Sequence, residues 1–291
     1  MKKLAGILLC AILVTLAFPL AASADMGPKP SVVVDFKDLE GERFYVTMLA
    51  QEMQYGPHSV PDAAAIRDAQ EGKTPEEYAA YLKLAQYEDA DGYHFWQVYS
   101  DCSEAKRFVW GYYPPERFKL LLYFPEADRL LAGPVSERYA FDSYFTATVT
   151  GADAPAAIRM ETSYDYRSEA IFFAARVVLT LLAELGIALL FGLREKKLFG
   201  FIVCINMLTQ LALNLALSVA NYRGGPQAFG GFYVLLELGI LLAEGLLYTA
   251  CARRHAQIKA TPKRLWLYAA AANLFSFVLG LRLADWIPAI F

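Results

Sequence analysis

The chain has 291 residues, a formal net charge of −3 and 56 % hydrophobic residues. Its near-neutral charge excludes the basic surface that nucleic-acid binding requires, so no nucleic acid is expected as a partner. The hydrophobic content exceeds the roughly 45–50 % of soluble domains. Because the excess lies at the N-terminus and after about residue 169, the sequence indicates a membrane protein that carries one soluble domain.

The first 24 residues have the order of a secretory signal peptide. Two lysines precede an apolar stretch over residues 4–18, and Ala22, Ser23 and Ala24 supply the small residues that signal peptidase reads. We therefore expect residues 1–24 to be removed after export. An uncleaved anchor helix is the alternative interpretation.

The next region, residues 25–168, is dense in aromatic residues and contains several stretches with apolar residues at every second position. Strands are predicted at residues 31–36, 44–50, 93–99, 118–124, 139–149 and 158–162. Short strands separated by Pro and Gly turns are typical of a small sandwich, so an α+β, β-rich domain is expected. Residues 54–64 are predicted to form an exposed loop.

One helical insertion is predicted within this domain, at residues 74–87. Thr74 and Glu77 have the spacing of a capping box, and Pro75 occupies the first helical position. The apolar residues that follow at helical spacing are Tyr78, Tyr81, Leu82 and Ala85. This apolar face is expected to pack on the sheet.

Two groups of residues in the domain could bind a ligand, and each also has an ordinary structural explanation. Asp89 and Asp91 belong to an acidic turn that lacks the first and twelfth ligands of a calcium loop, so a solvated turn is predicted. Four aromatic residues, Trp96, Trp110, Tyr112 and Tyr113, are candidates for a sugar- or peptide-binding platform, but a small sheet core uses the same residue types. We favour the core.

The cysteines exclude a disulfide within the domain. After signal cleavage the chain retains Cys102, Cys204 and Cys251, and only Cys102 lies within residues 25–168. A buried free thiol is therefore predicted at Cys102, with a bridge to a partner protein as the alternative.

Four apolar segments follow, and each is long enough to cross a hydrocarbon core of ~30 Å. They are predicted at residues 169–193, 198–220, 230–251 and 265–285. Basic residues occupy the first and third connections (Arg194, Lys196 and Lys197; Arg253, Arg254, Lys259, Lys263 and Arg264), whereas the second holds only Arg223. The positive-inside rule then predicts a multi-pass cell-membrane protein with its N-terminal domain and its C-terminus outside the cytoplasm.

The apolar segments contain polar residues that are costly in contact with lipid. The predicted intramembrane polar cluster consists of Glu184, Glu237, Glu244, Asn206, Gln210, Asn214, Asn273 and Ser276. Four of them lie nine or ten residues from a basic flank, which predicts a shared layer ~13–15 Å from the inner surface. Arg176 and Arg282 are the candidate charge partners.

This cluster has two interpretations, which the sequence leaves open. The carboxylates and amides could form a proton or cation site, or they could join the helices by hydrogen bonds. No His lies in the predicted segments, and neither HExxH nor GxSxG occurs. We therefore predict no catalytic residue, no metal ligand and no cofactor.

The start of the expected mature chain, Asp25-Met26-Gly27-Pro28-Lys29-Pro30-Ser31-Val32, resembles that of an uncharacterised family of exported bacterial membrane proteins. The Leu-x-Glu helices and the helix with Asn273-x-x-Ser276 are similar to the membrane half of that family. The resemblance implies a secreted β domain followed by four helices, and it implies no activity.

Three hypotheses for function follow. The leading one is a membrane-anchored extracytoplasmic protein without catalytic activity that binds a ligand or a partner, such as another membrane or cell-surface protein. The second is a small transporter or ion-coupled component that uses Glu184, Glu237 and Glu244. The third is a subunit of a larger membrane complex, in which the polar stripe at Asn206, Gln210 and Asn214 faces another chain.

Overall fold

The structure, a computed structural model, describes residues 27–55, 57–150, 157–255 and 258–286. The predicted signal peptide at residues 1–24 lies outside this part of the chain. The described residues comprise an N-terminal β region followed by long helices.

Two four-stranded sheets form most of the β region, with a short hairpin beside them. The strands are β1 (Ser31–Lys37), β2 (Tyr45–Ala50), β3 (Gln54–Tyr55), β4 (His58–Ser59), β5 (His94–Asp101), β6 (Arg107–Trp110), β7 (Arg117–Phe124), β8 (Arg129–Glu137), β9 (Asp142–Thr150) and β10 (Ala157–Thr162). One sheet has the order β10-β9-β1-β6 and the other β5-β2-β7-β8. Within the first sheet β1 and β9 are parallel, and the other pairs are antiparallel.

The core lies between the two sheets because their strands bury alternate side chains. In β1 the buried residues are Val32, Val34 and Phe36, and they share one cluster with Phe118 and Leu120 of β7. The strand β7 lies inside its sheet and is buried on both faces. Its remaining apolar residues, Leu121 and Tyr123, belong to a second cluster on the opposite face.

Two helices belong to the β region, α1 (Ala63–Asp68) and α2 (Pro75–Ala85). The predicted capping box of α2 is confirmed: Thr74 Oγ1 accepts from Glu77 N at 3.2 Å, and Glu77 Oε2 accepts from Thr74 N at 2.8 Å. Tyr81 and Leu84 of this helix are buried in the second cluster. The second sheet is therefore covered by the core on one face and by α2 on the other.

The sequence prediction missed four strands. The predicted loop at residues 54–64 is wrong, because it contains the hairpin β3–β4 and the start of α1. The short strand β6 and the edge strand β8 were also not predicted. Strand β8 contains Gly133 and Pro134, residues that an edge strand tolerates but that hide the strand pattern in the sequence.

Three helices are long and apolar enough to span a membrane: α3 (Tyr166–Leu190), α4 (Lys196–Arg254) and α5 (Pro262–Trp286). The middle helix has 59 residues and would measure about 88 Å if it were straight. It contains one residue with non-helical backbone, Gly225 (φ 70°, ψ −170°), followed by Pro226. The predicted connection over residues 221–229 is thus helical except at Gly225.

The two halves of α4 fold back on each other at Gly225. Tyr248 donates a hydrogen bond to Asn206, and Thr209 Oγ1 donates to Glu244 Oε1 at 2.7 Å. As residue number rises in the first half, that of the partner in the second half falls. The halves are therefore antiparallel neighbours, and each half is helical up to the break at Gly225.

The two ends of the helix bundle make different contacts. At one end the β region reaches the break in α4, where Phe141 N donates to the carbonyl oxygen of Tyr222 at 2.9 Å. At the other end the Arg264 guanidinium donates through Nε to the carbonyl oxygen of Phe191 at 2.7 Å, joining the start of α5 to the end of α3. The basic connections lie at this second end.

Candidate functional site

All eight residues of the predicted intramembrane polar cluster are buried among the helices α3, α4 and α5. Glu184, Glu244 and Asn206 have no exposed surface, and none of the eight is more than 8 % exposed. Because Asn206, Gln210 and Asn214 are buried within this chain, the polar stripe offers no surface to another protein.

Glu244 has a donor for each carboxylate oxygen. Thr209 Oγ1 donates to Oε1 at 2.7 Å, and Asn273 Nδ2 donates to Oε2 at 2.7 Å. The three residues come from the two halves of α4 and from α5, so one side chain joins three helical segments. Such interhelical hydrogen bonds stabilise helix packing in lipid by ~0.6–2 kcal/mol each.

Glu184 on α3 is only half satisfied. Its Oε1 accepts from Gln210 Nε2 at 2.7 Å, while Oε2 has no hydrogen-bond partner among the described residues. Gln210 in turn accepts from Thr180 Oγ1 at 3.1 Å. These contacts join α3 to the first half of α4. The spacing predicted that Glu184 lies level with Asn206, whereas its partner is Gln210, one helical turn further along α4.

Asn206 pairs with two tyrosines rather than with a carboxylate. It accepts from the hydroxyl of Tyr248 and donates through Nδ2 to the hydroxyl of Tyr268 at 3.1 Å. The rings of Tyr248 and Tyr268 lie 5.6 Å apart. This group forms a second junction of both halves of α4 with α5.

Glu237 and Arg176 line a small polar cavity of about 20 Å³. Glu237 Oε2 and Arg176 Nε are both buried, and neither has a hydrogen-bond partner in the described part of the chain. No described carboxylate lies within 4.0 Å of the Arg176 guanidinium. A cavity of this size with several polar groups has room for one water molecule.

The structure buries all eight residues of the predicted polar cluster, but Ser276 and the candidate charge partner Arg282 stand outside its hydrogen-bond network. Ser276 is buried, but its Oγ has no hydrogen-bond partner among the described residues. Arg282 is exposed and does not reach the buried carboxylates as a charge partner. Sequence reasoning missed Thr180, which precedes Glu184 by one turn, and Tyr248, which follows Glu244 by one turn. The i, i+4 spacing would have identified both.

A second, much larger site lies where the β region meets the helices. This groove, called here the junction groove, has a volume of about 570 Å³. It is lined by Pro30, Glu116, Arg117, Glu137, Arg138, Tyr139, Ala140, Phe141 and Arg223. Its size falls within the ~300–1,000 Å³ of small-molecule sites. No feature of the sequence predicted it, because residues from four distant segments form it.

The floor of the junction groove is fixed by aromatic packing. Tyr139 contacts Tyr222 and Tyr164, with ring centroids 6.4 and 6.3 Å apart, and Tyr164 contacts Tyr222 at 5.5 Å. The Tyr139 hydroxyl also donates to the carbonyl oxygen of Tyr144 at 2.8 Å. These contacts tie β9, α3 and α4 together, so both walls of the groove are held in place.

Neither ligand-binding candidate within the β region has the geometry of a ligand site. Asp89 is bound to the buried Lys119, whose Nζ lies 2.8 Å from Asp89 Oδ2 and 2.6 Å from Asp91 Oδ2. Trp96 and Trp110 are buried in the core, as favoured from the sequence, whereas Tyr112 is exposed and Tyr113 is half-buried, so the core interpretation is wrong for the two tyrosines. Among the described residues no group of three His, Cys, Asp or Glu side chains could hold a metal ion.

Burial of Asp89 opposes its ionisation, but hydrogen bonds from Lys119 and from the backbone of Asp91 and Tyr93 outweigh it and lower its pKa. Burial likewise opposes the charge on Lys119, and the hydrogen bonds to both aspartates raise its pKa nonetheless. The predicted solvated turn, which comprises Glu88, Asp89 and Asp91, is therefore wrong at Asp89, which forms a buried ion pair, whereas Glu88 and Asp91 are exposed.

No protein-family model matches the chain, and no curated protein matches it significantly. The resemblance to exported bacterial membrane proteins therefore stays a prediction, and functional inference rests on the geometry of the two sites.

Proposed function

We propose that this protein is anchored in the cell membrane by four crossings and that its outer β domain binds a small ligand in the junction groove. The observation that carries the proposal is the composition of the groove walls. One wall comes from the strands and loops around Arg117 and Arg138, and the other comes from Arg223 of α4. Ligands commonly bind at interfaces between domains, where concave surfaces form.

Four crossings are supported by the reversal within α4. Each half has about 29 residues, close to what a tilted helix needs to cross ~30 Å of hydrocarbon. The antiparallel contacts between Thr209 and Glu244 and between Asn206 and Tyr248 support a hairpin rather than one long rod.

An outward-facing β domain is supported by charge. Eight basic residues lie at the helix ends remote from the β region, whereas three, Arg167, Arg223 and Arg282, lie at the near ends. Lys and Arg accumulate on the cytoplasmic side of membrane proteins. The prediction is tested in intact cells with a membrane-impermeant maleimide and single cysteines in a cysteine-free background. Glu104→Cys should be labelled from outside and Lys196→Cys only after lysis, and the reverse pattern would overturn the orientation.

Ligand binding is tested by purifying the full chain from its native membrane and identifying co-purifying small molecules and lipids by mass spectrometry. Ala140→Trp and the solvent-exposed Glu116→Trp both place bulk in the groove. Each should lose at least one compound that the wild type retains. Glu126→Trp, exposed at the far end of β7, is the matched control and should retain it. If the two groove variants keep every compound at wild-type occupancy, the proposal fails.

A second candidate is an ion-coupled membrane component, as the unpartnered oxygens of Glu184 and Glu237 favour. A buried carboxylate without a full set of donors is the group expected at a proton site. Reconstituted into vesicles with an internal pH dye, the wild type should conduct protons, and Glu184→Gln and Glu237→Gln should not. Equal proton flux in the wild type and in both variants would exclude this candidate.

A further inference from the structure

We propose that the junction groove holds one phosphate-type anionic group between Arg138 and Arg223. The inference rests on the proposed ligand binding and specifies its chemistry. Both arginines line the groove, one from the β domain and one from the reversal of α4, so an anion held by both would bridge the two parts of the molecule.

The charges of the groove leave these two arginines available. Three arginines and two glutamates line it. Arg117 forms an ion pair with Glu137, with Nε 3.0 Å from Oε1. Arg138 Nε is buried and has no hydrogen-bond partner among the described residues, although the backbone N of Arg138 donates to the Glu116 carbonyl oxygen at 2.8 Å. Neither Arg138 nor Arg223 forms an ion pair with a described carboxylate, so an anion in the groove would neutralise positive charge that the described residues leave unpaired.

Arginine favours an oxyanion, and both phosphate and carboxylate groups fit its geometry. Its planar guanidinium presents several donors in a fixed fork that matches two oxygens of a phosphate, and it is less strongly hydrated than an ammonium group. The remaining carboxylate, Glu116, is exposed and disfavours a ligand with spread negative charge. A single compact phosphate between Arg138 and Arg223 therefore fits the groove better than a polyanion.

The position of Arg223 indicates where such a group would come from. It lies two residues before Gly225, at the point where two apolar helical halves meet. In the proposed layout this is the outer boundary of the bilayer, at the level of phospholipid headgroups. A lipid headgroup and a soluble phosphate monoester share the required chemistry, and the experiment separates them.

The test uses the full-length protein in nanodiscs of phosphatidylcholine, with sn-glycerol 3-phosphate as the soluble probe and phosphatidylglycerol as the lipid probe. Bound lipid is counted by native mass spectrometry and bound glycerol phosphate by titration calorimetry. Arg138→Gln and Arg223→Gln should each weaken the probe that binds by about 10- to 100-fold, as expected for a lost charged hydrogen bond. Arg159→Gln, an exposed arginine of β10 outside the groove, should bind like the wild type.

Selective binding of phosphatidylglycerol identifies the lipid as the source, and binding of glycerol phosphate identifies a soluble ligand. The inference is overturned if neither probe binds, or if Arg138→Gln and Arg223→Gln bind like Arg159→Gln. Should the groove-filling variants still lose a neutral compound in that case, the proposed ligand-binding function stands and only the anion is wrong. Should they lose nothing, both fail.

Discussion

The ring of Phe141 lies against Gly225, where a Cβ atom would stand 2.7 Å from three ring carbons. The same glycine has a φ of +70°, a conformation that other residues rarely adopt. Two independent requirements thus fall on one residue: the reversal of α4 needs its backbone freedom, and the docking of the β domain needs its lack of a side chain.

We expect Gly225→Ala to lower the free energy of unfolding of the full chain by about 2–3 kcal/mol, because both strain and overlap are introduced. Denaturant unfolding in detergent measures it. Gly231→Ala, a helical glycine with open space around its Cβ position, is the control and should leave stability unchanged or raise it slightly. In the double variant Gly225→Ala/Phe141→Ala the overlap between the new Cβ atom and the ring is removed, whereas the backbone strain at residue 225 remains. A Gly225→Ala variant as stable as Gly231→Ala would show that the junction is not built as described.

The Glu244 network predicts a measurable coupling within the helices. Glu244→Met and Thr209→Val should be coupled by ~0.6–1.7 kcal/mol in a double-mutant cycle, because the two wild-type side chains share one hydrogen bond of 2.7 Å and neither variant can form it. Glu244→Met with Thr180→Val is the matched control, since Thr180 bonds to Gln210 instead, and its coupling should stay below about 0.5 kcal/mol. Equal coupling in the two cycles would contradict the assigned contacts.

The pair of Asp89 and Lys119 predicts a pH window for the stability of the β domain. Because the pKa of Asp89 is lowered, the stability that the ion pair contributes is fully present above the ordinary aspartate pKa of 3.8. That stability is lost as the pH falls through the lowered pKa. Because the pKa of Lys119 is raised, the contribution is complete below 10.5 and is lost as the pH rises through the raised value.

Asp89→Asn leaves the buried ammonium with only the exposed Asp91, so a loss of about 3 kcal/mol is expected inside this window. Asp91→Asn should cost less than about 1 kcal/mol, because its carboxylate is largely exposed. Unfolding followed by tryptophan fluorescence at several pH values gives the difference from wild type. A difference for Asp89→Asn that persists unchanged below pH 3.8 would argue against the ion pair.

Burial, and to a lesser degree the nearby Asp101, raises the pKa of the Cys102 thiol to about 12. In a chain with Cys10→Ser, Cys204→Ser and Cys251→Ser, maleimide at pH 8 should therefore react with Cys102 about a thousandfold more slowly than with an exposed thiol. Glu104→Cys in a cysteine-free chain supplies the exposed reference. Denaturant should bring the two rates together, whereas equal rates in the folded protein would refute the buried position.

Strands in which one face alone enters the core give the clearest sequence pattern, although β7, which is buried on both faces, was also predicted. Val32, Val34 and Phe36 alternate with half-buried residues, and this alternation identifies β1 directly. Strand β6 has only four residues, and Pro134 in β8 masks an edge strand, so local pattern was insufficient for both. The capping box at Thr74 succeeded because helix starts depend on near neighbours.

The two candidate sites also differ in how far the sequence could predict them. Burial of Glu184 and Glu244 follows from the cost of a carboxylate in hydrocarbon, so sequence sufficed to group them. Which donor each carboxylate meets depends on helix rotation and tilt, and Gln210 rather than Asn206 reaches Glu184. The junction groove was beyond sequence reasoning, since Arg138 and Arg223 line one groove only after the β domain docks on α4.

Reversal at a single glycine has a consequence for biosynthesis. The polar residues at the reversal of α4 (Asn221, Arg223 and Gln227) span only seven positions, so the ribosome-bound insertion machinery meets no separate soluble domain between the two halves. In the proposed layout both halves must enter the bilayer together as a preformed hairpin. The position of the turn is then set by Gly225 and Pro226, and the β domain can dock on α4 only after this hairpin has formed.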